Sequence, residues 1–449
     1  MGVKNTLIKA TSTNCTFTIS DFKQVKQKVL NWAQRFNTFC FLDNHQYQGA
    51  PHTMECLLAA GVKRELNVNT GDAFQQLQPF INKSDGWLFG HLGYDLKNET
   101  EKISSAHPDG IQFPDLFFFE PEIILRLNEK EIVIEADDPE KVFDDINSST
   151  LPSLYPLSVK EELSTTPVII SNRIQKDEYL SIIRRLQQHI LRGDCYEINF
   201  CQEFFAHHTV IDPVAVYKKL SNISPNPFSA LYKVNDRWLI CASPERFLKK
   251  QGNKILSQPI KGTSKRITGN SQQDEQSKNQ LLNSEKDRSE NVMVVDLVRN
   301  DLAKVCKEGT VKVDELYGVY TFPQVHQMIS TISGGLKENI SFTEIIKATF
   351  PMGSMTGAPK KRVTELIEQY EKTKRGIFSG ALGYISPEGD FDFNVVIRSI
   401  MYNVASKYLS FQAGSGITFY SDPEKEWEEC MLKAEVIKKV LEDKLMDIQ

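Results

Sequence analysis

Apolar residues recur with two different periods along this chain, and the switches between them outline its elements. From Lys176 to Leu191, the residues Tyr179, Ile182, Ile183, Leu186 and Ile190 fall on one stripe of a helical repeat, which predicts an amphipathic helix. Gly193-Asp194 stops it, and Tyr196-Glu197-Ile198-Asn199-Phe200 then alternates as a strand. Thr38–Leu42, Gly86–Gly90, Glu131–Glu135, Arg237–Leu248, Gly252–Pro259, Gly376–Ile385 and Leu409–Thr418 read as further strands. Helices are predicted over Phe22–Arg35, Gln280–Arg299, Phe342–Thr349, Lys360–Tyr370 and Pro423–Leu441. Strands come in runs between helices without regular β-α-β alternation, so the pattern favours an α+β fold over a doubly wound sheet. Ser148–Pro167 is rich in Ser, Thr and Pro, breaks the periodicity and reads as a linker or surface excursion. There is no internal repeat.

Composition narrows the class. The 449 residues carry 58 acidic against 53 basic side chains, for a formal net charge of -5, with 10% aromatics. That balance excludes a disordered chain and a strongly basic nucleic-acid binder. The length suggests two or three domains. The longest apolar runs, such as Leu116-Phe117-Phe118-Phe119, are far too short to span a bilayer, and no apolar signal segment follows Met1. Gly2 with Thr6 only faintly matches an N-myristoylation pattern. The eight cysteines are scattered, with no C-x-x-C pair, as expected of reduced thiols in a cytoplasmic protein rather than of a disulfide scaffold or zinc site.

Four segments carry chemistry. In Gln258-Pro259-Ile260-Lys261-Gly262-Thr263 a strand ends at proline and a lysine meets a Gly-Thr turn. A lysine held by rigid backbone in a cleft can lose its proton and act as a nucleophile; in isolation the surface lysine after a strand is the commoner reading. Glu245 in Ser243-Pro244-Glu245-Arg246-Phe247 is a general acid if partly buried, or else half of an edge ion pair with Arg246. Asp287 with Glu290, and Glu426 with Glu429, are spaced three apart on two predicted helices, so each pair shares a face. Two such faces meeting across a cleft would make an oxygen-rich Mg2+ site; apart, they are solvated surface, and Glu429 with Lys433 is also a favourable i,i+4 pair. Finally, a Gly-rich loop from Phe350 to Lys360 opens a helix and could bind an anion, but lacks the Gly-Lys-Ser/Thr of a P-loop.

Together and in this order, these segments resemble the chorismate-binding enzymes, specifically component I of aminodeoxychorismate synthase. The resemblance runs from about Gln175 to Val440. It includes Gly193 to Asn199, Ser243 to Phe247, Pro259 to Thr263, Ser289 to Asp301, Ala413-Gly414-Ser415-Gly416-Ile417 and Glu426-Trp427-Glu428-Glu429. Gly90 to Asp95 matches more loosely. The resemblance implies one large α+β unit, with two antiparallel sheets packed face to face, helices outside and the site in the cleft between sheets. Residues 1-165 would then contribute strands to the sandwich that residues 166-449 complete as the catalytic region. The implied reaction converts chorismate and ammonia to 4-amino-4-deoxychorismate, on the route to para-aminobenzoate and folate. The matched positions imply Lys261 as covalent nucleophile at C2, Glu245 as general acid and His326 as a residue of the active-site wall. They imply Gly262, Thr263, Gly416 and Lys433 around the ring carboxylate and Arg398 on the enolpyruvyl carboxylate. Glu290 and Glu429 would be Mg2+ ligands, with Asp287 and Glu426 near or behind them.

Lys261 separates the subfamilies, because anthranilate and isochorismate synthases usually have a small residue before the Gly-Thr. Glu197 departs from the pattern: water-using relatives carry lysine near this position and ammonia users commonly glutamine. Phe378 stands where many anthranilate synthases have tyrosine, and their Leu-Leu-Glu-Ser element is absent, so tryptophan feedback is not expected. Anthranilate synthase component I is the second reading. A non-catalytic chorismate-binding regulatory subunit is the third, against which all the named site residues are present. No cysteine lies in a Gly-x-Cys-x-Gly nucleophile turn, so ammonia is expected from a separate glutamine amidotransferase subunit or from free ammonium.

Overall fold

The computed structural model describes residues 13–47, 55–148, 168–323 and 325–442. Gly2 and nearly all of the Ser148–Pro167 stretch, including the division near 165, lie outside them.

Alternation along the strands builds a sandwich with an outer helical layer. In Thr38–Asp43, Phe39 and Phe41 point into one apolar cluster while Cys40 points into the other. In Cys56–Ala60, Cys56, Leu58 and Ala60 join the first cluster, and Leu57 and Ala59 the second. A period of two thus gives one strand two buried faces, each burial of a large side chain contributing roughly 1.5–3 kcal/mol. The second cluster lies between the sheets, where Tyr232 of one sheet bonds His91 of the other at 3.0 Å. In the first cluster, helices Phe22–Ala33, Lys176–Leu191, Pro213–Ile223 and Pro423–Glu442 cover the outer face of the larger sheet.

The larger sheet runs Thr13–Thr18, Glu131–Ala136, Ile123–Leu127, Cys56–Ala60, Thr38–Asp43, Phe228–Val234, Arg237–Ser243, Ser399–Asn403, Tyr408–Ile417, Glu197–Ala206 and Gly357–Ala358. Ser171–Asn172 adds to Glu197–Ala206. The smaller sheet runs Ile260–Lys265, Val325–Gly335, Lys254–Gln258, Arg246–Gln251, Phe391–Val395, Ala381–Ile385, Leu88–Leu92, Leu116–Glu120 and Arg64–Val68, with Lys312–Thr321 also on Val325–Gly335. The described strand pairs are antiparallel, so the fold is α+β. Strands from the first third of the chain are hydrogen-bonded into both sheets.

Two predicted elements divide. Arg237–Leu248 is not one strand: Arg237–Ser243 belongs to the larger sheet and Arg246–Gln251 to the smaller, with Pro244-Glu245 crossing between them. The helix expected over Gln280–Arg299 is two, Ser271–Leu282 and Glu285–Val305. The Ser284 hydroxyl starts the second by accepting from the Asp287 amide.

Candidate active site

Two chain crossings set the first half of the site. Beside Pro244-Glu245, the chain crosses back between Phe391–Val395 and Ser399–Asn403 through Arg398. The crossings are clipped together: the Val395 amide donates to the Glu245 carbonyl at 3.0 Å, and the Ala242 amide to the Arg398 carbonyl at 3.2 Å. Arg398 sits at φ 51, a left-handed backbone that a non-glycine residue adopts only under constraint from its surroundings. Glu245 is only 4% exposed. Burial pushes its carboxyl up to about 7, against the opposing pull of a hydrogen bond from Ser354 and the charges of Lys261 and Arg398. A carboxyl poised there can deliver a proton at neutral pH. Burial draws the Arg398 guanidinium below its ordinary value, with Glu245 opposing.

The facing edges of the two sheets supply the second half. Ile260–Lys265 is an edge strand of the smaller sheet, and Glu197–Ala206 lies next to the edge of the larger one. Lys261 Nζ donates to Glu197 Oε1 at 2.5 Å across the gap. Asn199 pairs with Gly416, which lines the same spot: a Cβ at 416 would stand 2.6 Å from Glu197 Oε1 and 2.7 Å from Lys261 Nζ. A side chain at 416 would have to displace the ion pair from this position. Enclosure alone does not neutralise Lys261. Burial lowers its pKa, but Glu197, Glu290 and Glu245 outweigh burial and hold the ammonium above its ordinary value. The resting lysine is therefore charged, and to act as a nucleophile it must first give up that proton.

Helices Glu285–Val305 and Pro423–Glu442 bring the acidic pairs to this end of the sandwich. Lys286 Nζ stands 3.9 Å from Glu290 Oε1 and 3.7 Å from Glu426 Oε1. Glu426 is buried and accepts from the Ser415 hydroxyl at 2.5 Å. Glu429 takes an ion pair from Lys433 at 2.8 Å, and Lys433 also donates to the Gly414 carbonyl. Glu290 Oε1 is buried without a hydrogen-bond partner among the described residues. Burial pushes the Glu290 carboxyl up to about 7, Glu197 and Asp287 adding to the effect and Lys261 and Lys286 opposing it. Burial also favours the neutral form of Glu429, but the charges of Lys433, Lys286 and Lys261 prevail and lower its pKa. An orphaned buried carboxylate oxygen and a lysine ammonium placed among acids are what an oxygen-ligated divalent cation would satisfy. The donor chemistry suits such an ion, although among the described residues no three of these acids bring ligand oxygens within 4.8 Å of one another.

Gly262, at φ 92, approaches Asp287 so closely that a Cβ would meet Asp287 Oδ1 at 2.9 Å. Thr263 is exposed on the same strand. His326 pairs with Ser264, but both ring nitrogens are engaged, by Thr321 at 3.0 Å and Asp274 at 3.1 Å. Its ring thus ties helix Ser271–Leu282 to the sheet. In the Gly-rich loop, Lys360 is held by Asp301 at 2.7 Å and Thr349. Sequence reading did not single out Ser354 or Lys286. The i,i+4 spacing of Lys286 and Glu290 was the one local signal available. A separate cavity of about 660 Å³ between the sheets is lined by Trp87, Phe228, Arg246 and Tyr384 and does not include Lys261 or Glu290.

The chorismate binding enzyme family matches residues 31–439. The chain belongs to that family. It is similar to "Aminodeoxychorismate synthase component 1" of Escherichia coli (strain K12), 32% identical over 404 residues that cover 86% of each protein. It is also similar to "Anthranilate synthase component 1" of Thermus thermophilus, 32% identical over 371 residues, covering 82% of this chain and 79% of the relative. In fold it resembles the crystal structure of anthranilate synthase component I from Streptococcus pneumoniae, with a TM-score of 0.72 and 25% identity over 88% of this chain and 94% of that one. Among the described residues, no helix of this chorismate-binding protein is long and apolar enough to cross a membrane.

Proposed function

We propose that this protein is the synthase subunit of an aminodeoxychorismate synthase, joining ammonia to C4 of chorismate with loss of the C4 hydroxyl. The observation that carries the reading is Lys261, whose amine is enclosed at the meeting of the two sheets with the raised carboxyl of Glu245 among its neighbours. In this reading Lys261 attacks C2 while Glu245 protonates the departing C4 oxygen, and ammonia then attacks C4 and expels the lysine. Gly262, Thr263, Gly416 and Lys433 hold the ring carboxylate. The guanidinium fork of Arg398 holds the enolpyruvyl carboxylate. Glu290 and Glu429, with Asp287 and Glu426 beside them, would hold Mg2+, which when bound screens the ring carboxylate. Ammonia comes from a glutamine amidotransferase partner. All eight cysteines are free, which supports a reducing, cytoplasmic setting.

The deciding experiment incubates the purified protein with chorismate, Mg2+ and ammonium and identifies the product by mass. Aminodeoxychorismate is expected; anthranilate or isochorismate as main product would sink the assignment. Anthranilate synthase is kept as a second reading because a relative of that name matches at 32% identity. Lys261→Ala separates the two, since unchanged turnover in that variant removes the covalent lysine.

A further inference from the structure

Lys261 presents a conflict that its surroundings resolve. To attack C2 its amine must be neutral, yet Glu197, Glu290 and Glu245 keep it charged at rest. The proton has to leave to a group already in contact with Nζ, or the attack waits on solvent. Glu245 is unsuited, because it must arrive holding its own proton for the leaving oxygen. Among the described residues Glu290 makes no ion pair with Lys261, whose carboxylate partner there is Glu197 Oε1 at 2.5 Å.

Glu197 is built for the task. It is only 2% exposed, and its second oxygen, Oε2, is buried with no hydrogen-bond partner among the described residues. A buried carboxylate oxygen normally has its partners, so an orphan beside a nucleophile needs an explanation. Gly416 keeps the space around the pair clear, since any Cβ would push into both Oε1 and Nζ. The space around the pair is thus kept clear, and among the described residues no donor competes for Oε2.

We propose that Glu197 is the catalytic base that accepts the Lys261 proton as the covalent bond forms and returns it when the lysine is expelled. The inference rests on the aminodeoxychorismate reading and deepens it. In the first half-reaction one proton passes from Nζ to Glu197. The free electron pair on Nζ then forms the N–C2 bond, the ring double bond shifts, and the C4–O bond breaks, with Glu245 supplying the proton that makes water. In the second half-reaction ammonia forms the N–C4 bond as the N–C2 bond breaks. Glu245 takes the surplus proton from the new amine, and Glu197 returns its proton to Lys261. Both carboxyl groups end as they began, so the cycle needs no further co-reactant. Two carboxyl groups of opposite duty thus flank one lysine.

The test uses the full chain with chorismate and Mg2+ and withholds ammonia. The covalent adduct, chorismate less water on Lys261, is followed by quenched intact-protein mass. Glu197→Gln keeps the side-chain shape and cannot hold the proton. It should form the adduct about 100-fold or more slowly, within the range of general-base contributions. The KM for chorismate is measured alongside, so that lost binding is told apart from lost proton transfer. Glu197→Asp, which restores a carboxylate, should recover much of the lost rate. Melting temperatures of both variants guard against misfolding. Adduct formation by Glu197→Gln at the rate of the unchanged protein or faster overturns the role, as does an Asp variant no faster than the Gln one. If the unchanged protein makes aminodeoxychorismate through no adduct at all, the base role falls and the reaction stands. Anthranilate as its product overturns both.

Discussion

Ser354 and Glu245 line one small pocket, and the serine hydroxyl favours the charged form of that buried carboxyl. Its pull works against burial, which pushes the carboxyl up to about 7. Removing the hydroxyl in Ser354→Ala should raise the Glu245 pKa further. Because the acid acts in its protonated form, the alkaline limb of the kcat profile should move to higher pH, by about half a unit to one unit, the equivalent of roughly 1 kcal/mol. Glu245→Gln should lose about 100-fold or more in kcat and lose that limb. A Ser354→Ala profile identical to that of the unchanged protein would show that the hydroxyl does not tune the acid.

The same group makes stability depend on pH in a defined direction. The folded pKa of Glu245, about 7, lies above its ordinary value of 4.5. Between those values the folded state binds more protons than the unfolded one, so stability falls as pH rises through that window. At about 1.4 kcal/mol per unit, the cost at pH 8 is on the order of 3 kcal/mol. Glu245→Gln, which cannot ionise, should gain stability relative to the unchanged protein at pH 8 and little at pH 4.5. Urea unfolding at the two pH values measures this difference; equal offsets at both would contradict it.

Much of this was legible in the chain, and the losses have a common physical cause. Lys176–Leu191, Phe342–Thr349 and Lys360–Tyr370 fold as the periodicity predicts, residue for residue. Each has a continuous apolar stripe, and Ser341 with Glu344 caps the second reciprocally. Arg237–Leu248 was misread because alternation reports buried faces and says nothing about which sheet a strand joins; Pro244 was the local clue to the crossing. The Lys261-Gly262-Thr263 turn could be read as a motif. Its partner could not, because Glu197 is 64 positions away and meets Lys261 only when two sheet edges converge. Enclosure bears on Lys261, but the sign of its shift depends on three carboxylates that only the fold brings together.

Lys286 occupies the space among Glu290, Glu426 and Glu429 that a divalent cation would share. Its ammonium and the ion compete for the same carboxylates, so Lys286→Met should lower the Mg2+ concentration giving half-maximal activity, by about threefold to tenfold. Glu290→Gln removes a charge from the same cluster and should raise that concentration by about tenfold or more, in the range seen when groups around a metal are altered. Chelator should abolish turnover and added Mg2+ restore it. Activity that survives exhaustive chelation, or that responds to Mg2+ identically in both variants, would remove the metal from this cluster.

Arg375 is the buried hub behind the site. Its guanidinium clamps Glu371 through two bonds of 2.9 and 2.6 Å and donates to the carbonyls of Met355 and Asn199. Glu371 in turn accepts from the Cys201 amide at 2.9 Å. The pair therefore locks the loop that carries Ser354 against the strand that carries Glu197, the two segments that dress Glu245 and Lys261. Removing one member leaves the other charge buried and unpaired, which costs about 3–5 kcal/mol. Arg375→Met should therefore unfold at markedly lower urea, and chorismate turnover should fall even where the protein remains folded. Neutralising the abandoned carboxylate as well, in Arg375→Met with Glu371→Gln, should recover part of the stability, because an amide is far cheaper to bury than an unpaired carboxylate. A double variant as unstable as the sum of its singles would mean that the two side chains are not coupled, contrary to their geometry.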